Sequence, residues 1–190
     1  VSYDIDWSEK LRVKHARVLT ATAKGGSSMN LITHQIVVEA LKHRGVREHG
    51  KNDGPEIRAW QARVFRAPPA PWCAAFAWCM LDDSCAAIGR PNPIPGTAGA
   101  WRLIERGKQL HAWTREPGAG FIFGIDHGRG HAGAHLGHCG IVVEVDGDQL
   151  VTIEGNTDGS GTREGDGVYQ RTRAVAECTL GFLDPSRLFG

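Results

Sequence analysis

Among the five cysteines and nine histidines of this 190-residue sequence, one of each stands where thiol chemistry could be done. Cys73 follows Pro71 and Trp72 in the stretch PWCAAFAWCM. Proline has no backbone N–H to donate and is tolerated just before or at the first helical position, so this spacing predicts that Cys73 lies in the first turn of a helix. The unpaired amides and partial positive charge of a helix start favour a thiolate. A thiol nucleophile needs a base to take its proton, and that base needs a third group to fix its tautomer. His138, in LGHCGIVVEV, is the expected base. Glu154 and Asn156, in LVTIEGN, are the expected orienting groups, since either can accept from the ring nitrogen that faces away from sulfur.

Strand register is what would bring these residues together. Asp146-Gly147-Asp148 separates two apolar runs, which is a hairpin signal. If those three residues form the loop, Val145 faces Gln149, Gly140 faces Glu154 and His138 faces Asn156. A two-residue loop would turn His138 to the face opposite Glu154 and Asn156, unless a bulge intervenes. Taken singly, each residue has an ordinary explanation: a small core cysteine, a histidine at a strand end, a polar strand end entering a turn. Their conjunction is what points to chemistry.

The positioning elements can be read in outline. Asn30 can cap a helix over Leu31 to Arg44 that Gly45 stops, with Ile32, Ile36, Val37, Ala40 and Leu41 on one face. KNDGPEI, Lys51 to Ile57, is a turn that starts a short helix at Pro55. Trp72, Ala75, Phe76, Cys79 and Met80 form the buried stripe of the cysteine helix, with Cys73 beside the stripe at the edge of a cleft. A further helix is expected over Ala98 to Arg106, between Thr97 and Gly107. Beyond Pro117, FIFGI, GIVVEV, LVTIEG, VYQRTR and LGFL read as short strands between Gly/Asp turns. Helices followed by an antiparallel sheet define the α+β class. Residues 1–28 read as an arm or linker, with a basic helix over Trp7 to Lys24 and a flexible joint in Gly25 to Ser28; residues 29–190 read as the domain.

Composition narrows the partners. A formal net charge of +1 gives no electrostatic footprint for nucleic acid. No apolar run approaches the roughly 18 residues of a membrane span, and no secretory signal opens the chain. An opening Val1 leaves room for a missing leader or a larger parent. An odd cysteine count leaves at least one free thiol, and no CxxC or zinc-type spacing occurs; Cys79 reads as structural and Cys85 has no evident partner. His127, His131, His135 and His138 would align as metal ligands on a helix, but Gly128, Gly130, Gly133 and Gly137 oppose a helix, so no metal site is expected. Asp53 and Glu56 could bind calcium, but a turn leading into a helix is the simpler reading. Among Trp72, Trp78 and Trp101, Trp72 is the expected substrate-binding residue because it adjoins the nucleophile.

PWCAAF, GHCGIVVEVDGD, IEGNT and REGDGVYQRTR, in this order, resemble the CHAP domain of peptidoglycan hydrolases, related to NlpC/P60 and papain-like cysteine peptidases. GVREHGKNDGPEI and TAGAWRLIERG add to the resemblance, which covers roughly residues 30 to 185. It implies a papain-like fold and cleavage of an amide bond of the wall peptide, as an N-acetylmuramoyl-L-alanine amidase or an endopeptidase, with no cofactor. It implies action at the bacterial cell wall, secreted, periplasmic or phage-delivered, in a chain that could belong to a larger phage or secreted protein. The family's cysteine, histidine, Glu and Asn fall on Cys73, His138, Glu154 and Asn156. Many members carry Gln where this chain has Trp72, which leaves the Cys73 backbone amide as the expected oxyanion donor. The segment Asp126 to Gly140 also looks longer than usual, which makes His131 and His135, on glycine-rich loops, second-choice bases. The alternatives are a wall-binding or virion module that has lost turnover, and a Cys-His amidase or transferase for another substrate.

Overall fold

The computed structural model describes residues 29–130, 133–158 and 165–189. The expected arm over residues 1–28 lies outside them, as does His131. The helices come first: α1 (Met29–Lys42), α2 (Pro55–Arg63), α3 (Cys73–Ala87) and α4 (Ala100–Gln109). They are followed by β1 (Trp113–Thr114), β2 (Ile122–Arg129), β3 (His135–Asp146), β4 (Gln149–Thr157), β5 (Gly167–Ala174) and β6 (Gly181–Leu183). The strands form one antiparallel sheet in the order β1-β6-β2-β3-β4-β5. The fold is α+β, as the run of helices followed by strands implies.

The cysteine helix α3 sits at the centre. Every residue from Cys73 to Leu81 is buried, so it is enclosed on all sides and not merely along one stripe. It packs on α1, α2, α4, β3 and β4. One large core joins the helices to Ile122, Cys139, Ile141, Ile153 and Leu183 of the sheet. Their neighbours Phe123, Val142 and Phe182 form a smaller core. Period-two alternation assigns the two cores to opposite faces.

Several boundaries differ from the sequence expectation, each for a physical reason. Helix α1 already includes Asn30. Helix α4 starts at Ala100 behind Gly99 and runs through Gly107. A Cβ at Gly107 would come within 2.2 Å of Leu183 Cδ1, so this glycine allows close packing on β6 and does not stop the helix. The glycine-rich run before His138 is largely strand, with β2 and β3 extending to Arg129 and His135. Strand β1 has only two residues, too short to leave a pattern.

Helix α2 ends in a Schellman motif: Phe65 N–H bonds the Ala62 carbonyl and Arg66 N–H bonds the Gln61 carbonyl. Phe65 holds the left-handed position usually given to glycine, with φ 56°, at a cost of roughly 1–2 kcal/mol. Its side chain is 94% exposed, so no core contact offsets that cost.

Close approach of α3 to β4 depends on Gly155, where a Cβ would lie 2.6 Å from Trp72 Cζ3 and 2.9 Å from Phe76 Cβ. Gly155→Ala should force helix and strand apart and destabilise the domain by about 1–3 kcal/mol. Thermal unfolding followed by circular dichroism will read this as a Tm lowered by several degrees; an unchanged Tm would contradict this close approach of α3 to β4.

Candidate functional site

Cys73 is the first residue of α3, with Trp72 as its N-cap, as the Pro71 spacing predicts. No i−4 carbonyl exists for its amide. Trp72 is fixed beneath it. The indole Nε1–H donates to Glu48 Oε1 at 2.8 Å, and the ring stacks on Trp60 at 5.5 Å and meets Phe76 edge-on. Trp72 is fully buried, which corrects the expectation that it binds substrate: no sugar face can reach the ring.

The hairpin reaches the expected register by a different route. The turn has two residues, Gly147 and Asp148, since Asp146 pairs with Gln149. Gly147, with φ 59°, takes the first central position of the turn. That turn alone would have put His138 on the wrong face. A one-residue bulge between Val142 and Glu144 shifts the pairing to Ile141 with Ile153. The shift restores the alignment in which Gly140 stands opposite Glu154. A Cβ at Gly140 would lie 2.7 Å from Glu154 Cγ, so the glycine leaves space for Glu154 to reach the histidine.

His138 Nε2–H donates to Glu154 Oε2 at 2.8 Å, and both residues are buried. Glu154 thus takes the Nε2 proton that the sequence had left open between it and Asn156. Asn156 lies two residues further along β4, buried, with φ 57°. The Glu154 carboxylate is saturated with donors: Thr152 Oγ1–H at 2.6 Å to Oε1, and the Arg173 fork at 2.6 Å to Oε1 and 2.7 Å to Oε2. Arg173 comes from β5 and also bonds Glu177. Burial raises the Glu154 pKa, but the bonds from His138 and Arg173 outweigh it and hold the carboxyl at about 2.

With Nε2 committed, Nδ1 is the nitrogen left for Cys73. It has no partner at full hydrogen-bond geometry, although the ring and the sulfur attract each other by hydrogen bonding and charge. Such contacts are commonly loose before substrate arrives. Burial lowers the His138 pKa, but Cys73 and Glu154 together raise it to about 9. The Cys73 thiol is drawn well below its usual value, first by a hydrogen bond from the Cys139 side chain, then, against burial, by His138. Cys139 is correspondingly pushed up and remains a thiol, donating S–H to its neighbour. Cys79, Cys85 and Cys178 are pushed up to about 12 by burial, so Cys73 stands apart. All five cysteines are unpaired. Cys73 is only 4% exposed, lying in the core cluster and not at an open cleft edge as expected.

The other histidines and the acidic turn take different parts. His135 is exposed and stacks on Trp101 at 4.3 Å. Trp78 donates to the Ile94 carbonyl from within the core. Asp53 is held at 2.5 and 2.7 Å by Arg58. Among the described residues no three His, Cys, Asp or Glu side chains gather as a metal site. Thr152, Arg173 and Cys139 were missed from the sequence. Thr152 had a usable signal, because it shares the alternating face of Glu154.

A cysteine at a helix start, a histidine on the neighbouring strand and a carboxylate behind it bring together the residue types that thiol chemistry requires. Residues 66–156 match the CHAP domain family. This segment is similar to a CHAP domain. CHAP domains are hydrolases associated with peptidoglycan. The comparison with curated proteins gives no match. Among solved structures the chain is similar to the crystal structure of Ly7917, at 19% identity and TM-score 0.39, covering 84% of this chain and 63% of that one. It is also similar to Ly7917 with the hydrolyzing product of MDP, at 19% identity and TM-score 0.39, covering 80% and 63%. The chain thus spans less than two thirds of those solved chains.

Two measurements probe the site. Iodoacetamide should alkylate Cys73 at neutral pH while Cys79, Cys85 and Cys178 stay unmodified, as read by peptide mass spectrometry; alkylation confined to pH above 9 would refute the lowered thiol. Arg173→Met removes bonds that keep Glu154 ionised, so Glu154 should protonate at higher pH and the acid limb of the alkylation profile should move upward. Breaking this buried pair should also cost about 3 kcal/mol in unfolding measurements.

Proposed function

We propose that this chain is a peptidoglycan hydrolase that cuts an amide bond of the wall peptide by Cys-His nucleophilic catalysis, as a muramoyl-alanine amidase or an endopeptidase. Residues 29–190 form the catalytic domain in this reading, and 1–28 an arm. The observation that carries it is the buried line running from Cys73 at the helix start through His138 to Glu154, in which the proposed nucleophile is the one thiol whose surroundings favour ionisation.

In this mechanism the Cys73 thiolate attacks the amide carbonyl carbon. The new C–S bond forms as the carbonyl π pair moves to oxygen. The Cys73 amide, without a helical partner, is placed to receive the oxyanion. Imidazolium Nδ1 of His138 then gives its proton to the leaving nitrogen, the C–N bond breaks and a thioester remains. Water attacks the thioester, neutral Nδ1 takes its proton, and the acid leaves as the thiolate and imidazolium are restored. Glu154 holds the ring in the tautomer this requires, and Asn156 completes the strand end behind it. The Cys139 S–H steadies the thiolate. No step calls for a cofactor. The papain-like character and action at the cell wall belong to the same proposal.

Purified peptidoglycan incubated with the protein should release new amine or carboxyl ends that mass spectrometry assigns to one bond. Cys73→Ala and His138→Ala should each lower turnover by at least about a hundredfold while the circular dichroism spectrum is retained. Undiminished release by folded Cys73→Ala would sink the proposal. No release by the unaltered chain, together with retained wall binding, would mark a binding module.

A further inference from the structure

A cleft of about 590 Å3 opens between the end of α2, the segment before α4 and the start of β3. Its composition is unusual for a chain of nearly balanced charge. The lining includes Arg66 and Arg102 and no aspartate or glutamate. Both arginines are exposed, and neither guanidinium meets a carboxylate among the described residues. Phe65 stands at the cleft, 94% exposed, on the strained left-handed residue that ends α2. Trp101 and His135 form a flat stack with rings 4.3 Å apart and 9° from parallel.

The cleft adjoins the proposed chemistry. His135 precedes His138 by three residues on β3, about 10 Å along the strand. At the start of α4, the Ala100 Cβ lies 3.6 Å from where a Cβ of Gly137 would stand. A ligand in the cleft could therefore extend along β3 toward Cys73.

We infer that this cleft seats an acidic peptide, the carboxylate-bearing stem of the wall substrate. Its carboxylates meet Arg66 and Arg102, and its apolar side lies against Phe65 and the Trp101–His135 stack. The inference rests on the hydrolase reading for the identity of the ligand. Charge favours the peptide over the uncharged glycan: two guanidiniums without local counter-charge attract anions, and the planar fork of arginine suits a carboxylate. Strain at an exposed aromatic fits a binding role, because Phe65 contributes nothing to the core.

The test uses the Cys73→Ala chain, so that binding is read without turnover. A soluble muropeptide with free carboxylates should bind it and shift the Trp101 indole NMR signal. Arg66→Gln combined with Arg102→Gln should weaken binding about tenfold, as should amidating the peptide carboxylates. Added salt should weaken it too. Phe65→Gly should weaken binding while Tm stays level or rises, a split that a structural role for Phe65 would not produce. Equal affinity of the double arginine variant, or of the amidated peptide, would overturn the inference. So would a Trp101 signal that does not move. If the unaltered chain cuts walls and the arginine variant binds normally, the cleft fails and the hydrolase reading stands. If walls are not cut and the acidic peptide still binds through the arginines, the hydrolase reading fails and the cleft stands.

Discussion

The Glu154 carboxylate is the constraint on which the rest of the structure depends. It is fully buried, and an isolated buried carboxylate would take up a proton instead of remaining charged. Four donor contacts prevent this, from His138 on β3, Thr152 on β4 and Arg173 on β5. Three adjacent strands are thereby tied to one pair of oxygens. The sheet order places these strands side by side, and a shift in any register would remove a donor.

Other features follow from accommodating that group. Gly140 leaves room for the Glu154 side chain, and the bulge near Val143 returns His138 to the correct alignment after a turn of the wrong length. Gly155, next in sequence, lets α3 come down on β4, so the helix start lies one residue from the carboxylate. Glu48 then secures Trp72, which precedes Cys73. The sulfur is therefore positioned through two routes, the β4 contact and the α2–α3 aromatic packing, neither of which involves the histidine.

How much of this can be read in the sequence varies with the range of the interaction. Cys73 at a helix start was legible because Pro71 acts locally. Glu154 and His138 are legible as partners because an Asp-Gly turn links their strands, but the sequence leaves the turn length open, and the two-residue turn gives the alignment only through a compensating bulge. Arg173 was not legible, since the long connection between β4 and β5 leaves their register undetermined until the chain is folded. The burial of Trp72 is not legible, because its position beside Cys73 says nothing about which way its ring turns. Cys139 resembles one more small core residue, and only its placement against Cys73 sets it apart.

The charges also explain why recognition would lie outside the reacting pair. With Cys73 and Glu154 anionic and His138 and Arg173 cationic, the buried line is close to neutral, and Glu177 further offsets Arg173. Such a line can move a proton between sulfur and substrate without a large change in buried charge. For the same reason it exerts little long-range pull on an anionic ligand. Attraction must come from charges that are not already compensated. Among the described residues near His135 those include Arg66 and Arg102, in a cleft whose lining holds no aspartate or glutamate. In the proposed division, holding the ligand in one place and reacting with it in another would let the charges of the buried line stay where low dielectric strengthens them, while the arginines stay in water, where they can meet a partner.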